Sequence, residues 1–297
     1  MNILVTGRNG QLGWELQRAL APLGHVHAVD RSQLDLSRPE TLAPFVTALR
    51  PAVIVNAAAY TAVDLAEKET EVARRVNAES VQLLAALAKQ LGALFVHYST
   101  DYVFDGNGLR AYLETDPVAP CNAYGATKLE GERAVAASAA DWLVFRTSWV
   151  YSTRGRNFMR TILRLASERE SMSVVNDQQG APTSARMIAD LSAHAIALAL
   201  KERRQDAFES GLFHLTARGT TTWYGFASEI VSLARQSGVF DIKVNDVLPV
   251  GTEAYPTPAR RPAFSVLDNA KFEHRFGLSR LDWAAALRLV FDDLARA

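Results

Sequence analysis

The sequence contains a single cysteine, Cys121, among 297 residues, so no disulfide can form within the chain. It has no excess charge of either sign, because 32 Lys and Arg balance 32 Asp and Glu. Proteins that bind nucleic acid mainly through phosphate contacts usually show a basic surplus, so this balance argues against that class. We also find neither a basic, apolar leader nor an apolar run long enough to span a bilayer. The sequence therefore predicts a cytoplasmic protein without a nucleic-acid or membrane partner.

Patterns that bind metals or activate a serine are also scarce. The six histidines are scattered, without a His-x-x-x-His pair or a cysteine partner, so we expect no zinc site. The chain has no Gly-x-Ser-x-Gly turn of the kind that presents a nucleophilic serine. With 48% hydrophobic and 22% charged residues, the composition is that of a folded globular protein with one large domain or two joined ones.

Short apolar runs, typical of buried strands, alternate with helical patterns in the first half of the chain. The strands are expected at residues 3–6, 26–29, 53–56, 94–98 and 142–145, and one long helical region at residues 62–91. Strands that are apolar on both faces and separated by helices indicate a parallel sheet covered on both sides. We therefore predict an α/β protein with a Rossmann-type, doubly wound parallel sheet in residues 1–150. Residues 151–297 are expected to form a smaller C-terminal α/β substrate-binding domain, from which about 185–217 return to the first domain.

Three glycines, Gly7, Gly10 and Gly13, lie between the first predicted strand and the first predicted helix. A turn of this kind allows a tight bend, a close approach of backbone amides to a pyrophosphate, and close packing of the helix on the sheet. Asp30 ends the second predicted strand, where an acid binds the ribose hydroxyls of a dinucleotide. These features favour a dinucleotide cofactor, the alternatives being a plain turn and an acid that caps the end of a strand.

Tyr124 and Lys128 are four residues apart, so on a helix they share one face. An ammonium beside a phenol lowers the phenol pKa, which is about 10 in free tyrosine, so the pair could transfer a proton near neutral pH. Thr100 follows the fourth predicted strand, at the edge where parallel sheets bind their ligands, and its hydroxyl can bind the oxygen that Tyr124 protonates. The alternative is that Tyr124 and Lys128 lie on a solvated helix face.

Several segments together resemble the extended short-chain dehydrogenases/reductases. They are the glycine turn, Asn-Ala-Ala-Ala at 56–59, Asn77, Ser-Thr-Asp-Tyr-Val-Phe at 99–104, the Tyr124/Lys128 pair and Arg-Thr-Ser-Trp-Val-Tyr at 146–151. Asn-Asp-Gln-Gln-Gly-Ala-Pro-Thr at 176–183 and Tyr-Pro-Thr-Pro-Ala-Arg-Arg-Pro at 255–262 resemble, within that class, the dTDP-4-dehydrorhamnose reductase family. The resemblance extends over nearly the whole chain.

This resemblance implies an NAD(P)H-dependent oxidoreductase that reduces the C4 ketone of dTDP-4-dehydro-6-deoxy-L-mannose to dTDP-L-rhamnose, the last step of dTDP-rhamnose biosynthesis. It implies that Tyr124 donates the proton, that Lys128 also binds the nicotinamide ribose, and that Thr100 orients the ketone. The cofactor residues it implies are Gly10, Gln11, Leu12, Asp30, Asp35, Leu36, Ala59, Tyr60, Thr61 and Tyr98. The substrate residues it implies are Thr61, Val63, Thr100, Asp101, Tyr102 and Trp149, with Arg260 and Arg261 near the substrate diphosphate.

The preference between NADH and NADPH depends on opposed charges. Asp30 favours a free ribose 2′-hydroxyl, whereas Arg8 in the glycine turn and Arg31 next to Asp30 can bind a 2′-phosphate. We therefore expect both cofactors to work, with a small preference for NADPH.

Some relatives hold Mg²⁺ between acidic side chains at a dimer interface. Glu15 with Asp292 or Asp293 could contribute to such a site, but Arg186 lies where a further acid is expected. A cation there opposes a metal, so Mg²⁺ is doubtful in this chain, while a homodimer stays open.

The sugar-nucleotide epimerases and dehydratases of the same superfamily use the same Tyr/Lys pair and are alternative functions. A dehydratase needs a glutamate after Thr100 and Asp101, and this chain has Tyr102 there, whereas the residues do not exclude an epimerase. A non-enzymatic alternative is the regulatory subunit of methionine adenosyltransferase, which resembles this family and acts by binding a partner. The intact set of Thr100, Tyr124 and Lys128 favours an enzyme.

Overall fold

A six-stranded parallel sheet forms the centre of the computed structural model, which describes residues 1–296. In chain order the strands of the protein are β1 (Asn2–Thr6), β2 (His25–Val29), β3 (Val53–Asn56), β4 (Leu94–Thr100), β5 (Asp141–Thr147), β6 (Val150–Tyr151), β7 (Ser171–Val175), β8 (Gln179–Gly180), β9 (Thr183–Ser184), β10 (Gly211–His214), β11 (Thr221–Thr222) and β12 (Asp246–Val250). The central sheet has the order β10-β5-β4-β3-β1-β2. The order reverses between β1 and β3, and in sheets of this kind the ligand crevice lies at that reversal, outside the carboxyl ends of the strands.

Helices cover both faces of this sheet. In chain order the helices of the protein are α1 (Gln11–Leu20), α2 (Leu42–Leu49), α3 (Val63–Ala66), α4 (Thr70–Arg74), α5 (Ser80–Leu91), α6 (Ala123–Ala137), α7 (Phe158–Glu168), α8 (Ala185–Arg203), α9 (Trp223–Ser237), α10 (Ala270–Phe276) and α11 (Trp283–Arg296). Ile3 and Val5 pack in one core with α1 and α8, whereas Leu4 packs in a second core with α2, α5 and α6. The α/β, doubly wound fold predicted from the apolar strands is therefore confirmed.

The predicted continuous helical region at residues 62–91 is wrong in detail, because the chain breaks after α3 and forms a π-helical turn at Arg75–Glu79 before α5. Asn77 in this turn is buried, and its side chain accepts a hydrogen bond from the Tyr60 amide (2.9 Å) and donates to the Thr127 hydroxyl (3.1 Å). Both partners are distant in sequence, so helical periodicity carries no sign of them. The π turn directs an amide side chain toward the segment that leads into the site.

The C-terminal half contributes to two cores. Helices α7, α9 and α11 surround a separate apolar core, and the parallel pair β7 and β12 lies beside it. By contrast, α8 packs against α1, and β10 extends the central sheet next to β5. None of the helices within residues 1–296 has the length and apolarity needed to cross a bilayer.

Candidate active site

A cavity of about 470 Å³ opens at the carboxyl ends of the central strands. The predicted cofactor residues that line it are Gly7, Gly10, Gln11, Leu12, Ala59, Thr61, Tyr98, Tyr124 and Lys128. The glycine turn that follows β1 and the proposed proton donor on α6 therefore face the same cleft.

The glycine turn is shaped by close backbone contacts. Gly7 has a φ of 75°, and a Cβ at this position would lie 2.9 Å from the Ala58 nitrogen. A Cβ on Gly13 would lie 2.0 Å from the Gly7 carbonyl oxygen, so this glycine serves the packing of α1 on the turn. Gly10 directly precedes α1 and leaves the amides at the start of that helix open to the cleft. The tight turn and the open amides at the start of α1 fit a dinucleotide diphosphate.

Asp30 lies at the end of β2, outside the residues that line the cavity. Its carboxylate accepts hydrogen bonds from the Ser32 hydroxyl (2.6 Å) and amide (2.9 Å) and from the Asn9 side chain (3.1 Å). The Ser32 hydrogen bonds, with the Asn9 bond and the nearby Arg8 charge, hold the pKa of Asp30 below its usual value. The carboxylate is therefore ionised and is linked to the glycine turn through Asn9.

The other predicted adenosine-side residues also lie outside the cavity lining. Arg31 pairs with Asp35, with Nε 3.2 Å from Oδ2. Leu36 is buried in the core that contains α2 and α5, and its carbonyl accepts a hydrogen bond from Ser80. Tyr60 is held through its backbone by Asn77. Any contact of these side chains with a cofactor remains a prediction.

Tyr124 lies in the first turn of α6, where the chain packs tightly. The Asn122 side chain caps the helix by accepting a hydrogen bond from the Gly125 amide (2.8 Å). A Cβ on Gly125 would lie 2.1 Å from the Tyr102 carbonyl oxygen, which shows how closely α6 approaches the segment after β4. Burial raises the pKa of Tyr124 to about 12, against a hydrogen bond with Thr100 that lowers it. The phenol therefore carries its proton at neutral pH.

Lys128 is buried one turn further along α6, with 1% of its surface exposed. Its Nζ donates to the Tyr98 carbonyl oxygen (2.6 Å) and lies 3.1 Å from His97 Nε2. Burial lowers the pKa of Lys128 to about 8, and the Glu132 carboxylate opposes this shift. The expected depression of the Tyr124 pKa by Lys128 is not found, because the ammonium is directed to β4 and burial dominates at the phenol.

A buried polar chain continues from Lys128 across the sheet. His97 Nδ1 lies 3.1 Å from Asn56 Nδ2, and the Thr6 hydroxyl donates to Asn56 Oδ1 (2.6 Å). Burial, with the Lys128 charge, lowers the pKa of His97 well below its usual value, so the imidazole is neutral. His97 thus supports Lys128 from the neighbouring strand. The sequence signal for these buried hydrogen bonds is that Thr6, Asn56 and His97 are polar residues in otherwise apolar strands.

Thr100 and Asp101 lie side by side at the end of β4. The Thr100 hydroxyl donates to Asp101 Oδ1 (3.0 Å) and accepts from the Tyr102 amide (3.1 Å). Burial raises the pKa of Asp101 to about 6, although hydrogen bonds, including that from Thr100, oppose the shift. The Tyr102 ring meets the Tyr124 ring edge-on at 5.8 Å between centroids. The proposed proton donor, ketone-orienting hydroxyl and substrate residues are thus adjacent.

A second, mostly apolar cavity of about 340 Å³ lies in the C-terminal half. Ile162, Met172 and Trp223 line it together with Arg261, whose guanidinium binds the Asp64 carboxylate through both nitrogens (2.9 and 2.7 Å). Val63, also predicted to face the substrate, precedes Asp64 and begins α3.

Trp149 stacks face to face on Trp223, at 3.6 Å between ring centroids and an interplanar angle of 8°. One face of the indole is therefore already covered by protein. Arg260 is exposed, and its carbonyl accepts a hydrogen bond from Asn122.

The acidic residues that a metal would need are neutralised by arginine. Arg186 Nε lies 3.5 Å from Glu15 Oε2, and the same guanidinium pairs with Asp293. Arg18 also lies 3.5 Å from Glu15 Oε2. Across residues 1–296, no group of acids, histidines or cysteines is arranged to hold a metal ion. The donor set does not fit the divalent cation that some relatives hold.

Sequence reasoning missed several residues that line the cofactor cavity. They are Asn9, Asn56, Ala57, Ala58, Ser99, Thr147, Val150, Gly155 and Arg156. Most lie at or just after the carboxyl end of a central strand, which is a usable signal. No such signal marks Gly155 and Arg156, because their loop lies more than a hundred residues after the glycine turn in sequence.

Comparison with known proteins gives matches over almost the entire chain. The family model described as the RmlD substrate binding domain matches residues 1–296. A dTDP-4-dehydrorhamnose reductase from Burkholderia thailandensis is 56% identical over 295 residues, covering 99% of each chain. The enzyme of the same name from Escherichia coli K12 is 51% identical over 298 residues, covering 99% of this chain and 98% of its own.

A solved structure extends these matches to three dimensions. A dTDP-4-dehydrorhamnose reductase from Bacillus anthracis, in complex with NADP, has a TM-score of 0.87 at 35% identity, covering 98% of this chain and 99% of its own.

The fold and the cleft define a nicotinamide-dependent reductase with a Rossmann-type sheet and a Tyr/Lys pair. Within that class, the matches over nearly the full length of the chain identify the family. The chain belongs to the dTDP-4-dehydrorhamnose reductase family.

Proposed function

We propose that this chain reduces the C4 ketone of dTDP-4-dehydro-6-deoxy-L-mannose to dTDP-L-rhamnose, with NADPH or NADH as reductant. The observation that supports this best is the protonated Tyr124 phenol beside the Thr100 hydroxyl at the cofactor cleft. A ketone that gains a hydride needs a proton on its oxygen, and Tyr124 can donate one at neutral pH.

Each residue has a distinct task in this proposal. Gly7 and Gly10 admit the dinucleotide diphosphate, and the reduced nicotinamide supplies the hydride when bound. Thr100 turns its hydroxyl from Asp101 to donate a hydrogen bond to the ketone oxygen, and Tyr124 transfers its proton to the same oxygen as it becomes a hydroxyl. Lys128, anchored on the Tyr98 carbonyl, is proposed to bind the nicotinamide ribose and to hold the cofactor beside Tyr124.

The substrate nucleotide has a suitable place in the second cavity. Its apolar wall suits a nucleoside, and Arg261 supplies positive charge for the diphosphate. Asp101 and Tyr102, next to Thr100, are proposed to contact the sugar, and Trp149 remains a proposed substrate contact. A homodimer and a cytoplasmic location stay predictions from the sequence.

The proposed reaction predicts stoichiometric loss of reduced nicotinamide absorbance at 340 nm when the dTDP-4-keto sugar is added, with one dTDP-rhamnose formed per cofactor oxidised. The chain without sugar, and the sugar without the chain, are the controls. An epimerase would convert the substrate with no net loss of reduced cofactor, and that result would refute the reductase assignment.

We propose that both NADPH and NADH serve, with NADPH slightly preferred. Arg31 is paired with Asp35, but 80% of its side chain is exposed, and an exposed pair is worth only about 0–1 kcal/mol, so a 2′-phosphate can compete for Arg31. Arg8→Ala combined with Arg31→Ala should lower kcat/KM for NADPH by about tenfold and spare NADH. Comparing kcat/KM for both cofactors in both proteins measures this, and an unchanged ratio would show that the two arginines are solvated surface charges.

A further inference from the structure

The charges around the cofactor cavity have one sign. Among the residues that line it, those with charged side chains are Lys128 and Arg156, and both are cations. Lys128 is buried and donates to the Tyr98 carbonyl, at the proton-transfer end of the cavity. Arg156 is exposed and lines the cavity together with the glycine turn, through Gly7 and Gly10. A second cation is therefore available for the part of a ligand that lies against the glycine turn.

The loop that carries Arg156 is fastened to the start of α1. This strap, residues 152–157, connects β6 with α7. Gln11 Oε1 accepts hydrogen bonds from Ser152 Oγ (3.1 Å) and Asn157 Nδ2 (2.9 Å), so one side chain of α1 holds both ends of the strap. Between these ends, the Arg154 guanidinium lies 3.6 Å from the centroid of a Trp14 ring. The strap is thus held against the first helix, and Arg156 lies at the cavity side.

We propose that Arg156 binds the diphosphate of the dinucleotide together with the backbone amides of the glycine turn. Amides at a helix start bind an anion through fixed dipoles, and a guanidinium adds charge and two parallel donors. The proposal rests on the proposed function for the presence of a dinucleotide, and it assigns to the strap a role in cofactor binding.

The placement also excludes a role in cofactor selection. Arg8 and Arg31 lie near Asp30 and outside the cavity lining, whereas Arg156 lines the cavity with Gly7 and Gly10. A contact with the diphosphate is common to NADPH and NADH, so the loss of Arg156 weakens both cofactors by the same factor.

Equilibrium binding without any sugar tests the proposal. In Arg156→Ala, the Kd values for NADPH, NADH and ADP-ribose rise by about tenfold or more, while that for 2′-AMP, which lacks a diphosphate, does not change. Arg156→Lys retains part of the affinity because it keeps the charge but loses the paired donors. Arg133→Ala, which removes an exposed arginine from α6, is the matched control and leaves all four Kd values unchanged.

Salt dependence provides a second readout. The slope of log Kd for ADP-ribose against log salt concentration is shallower in Arg156→Ala than in the unchanged protein, because one ion contact is missing. An unchanged Kd for ADP-ribose in a folded Arg156→Ala variant, or a loss confined to NADPH, overturns the proposal. Since no sugar is present, a chain that binds ADP-ribose through Arg156 but fails to reduce the keto sugar would refute only the proposed function.

Discussion

Tyr124→Phe is expected to lower kcat for the keto sugar by about 10²–10⁴-fold and to leave the Kd for NADPH nearly unchanged. The phenol carries its proton at neutral pH, so it is the group that can protonate the ketone oxygen. Phenylalanine keeps the ring that packs edge-on against Tyr102, and only the donor is removed. Steady-state oxidation of NADPH gives kcat, and a separate titration gives the Kd.

The matched control for this change is Tyr224→Phe, which removes a phenol in α9 that packs against the C-terminal core. It should leave kcat unchanged. Near-full activity in Tyr124→Phe would place Tyr124 outside the chemistry. A large rise in the Kd for NADPH at constant kcat would instead make it a cofactor-binding residue.

Local sequence patterns were enough to predict the central sheet and the main features of the cofactor cleft. The strands of the central sheet are apolar on both faces, so β1, β3 and β4 could be located from composition alone. The glycine turn and the Tyr124/Lys128 spacing are equally local, because each lies within one turn or one helix. The resemblance to a family then supplied roles that spacing alone left open.

Features that depend on contacts distant in sequence could not be predicted. The π-helical turn before α5 contains Asn77, whose hydrogen-bond partners Tyr60 and Thr127 lie in other segments. Spacing on a helix placed Lys128 near Tyr124, but it could not show that the ammonium is directed to the Tyr98 carbonyl. The strap reaches the glycine turn from the other half of the chain, and only the fold brings them together.

The buried ion pair between Arg146 and Glu132 is expected to be the most costly contact to break. Arg146 on β5 donates from Nε and Nη2 to the two carboxylate oxygens of Glu132 on α6, at 2.8 and 2.7 Å. Both side chains are nearly inaccessible, with 3% and 7% exposed. The pair therefore joins the sheet to the helix that carries Tyr124 and Lys128.

Removing one partner leaves the other charge buried without compensation. Arg146→Met and Glu132→Leu are each expected to lower the free energy of unfolding by about 3–5 kcal/mol, as measured by urea denaturation. The double variant should recover most of this loss, because replacing a buried pair by apolar side chains of similar size is often neutral or stabilising. If either single variant lost less than about 1 kcal/mol, the remaining charge would have to be solvated or paired elsewhere.

The double variant also tests how the charge of Glu132 affects the reaction in a protein that remains folded. Glu132 lies one turn after Lys128, and its carboxylate raises the pKa of the ammonium against the effect of burial. Replacing both partners removes that anion, so the pKa of Lys128 should fall below about 8 while the helix remains in place. Because a neutral amine binds the nicotinamide ribose less firmly than an ammonium does, kcat should then decline at a lower pH than in the unchanged protein. A pH profile of kcat that does not move in a stably folded double variant would show that the charge of Lys128 does not limit the reaction.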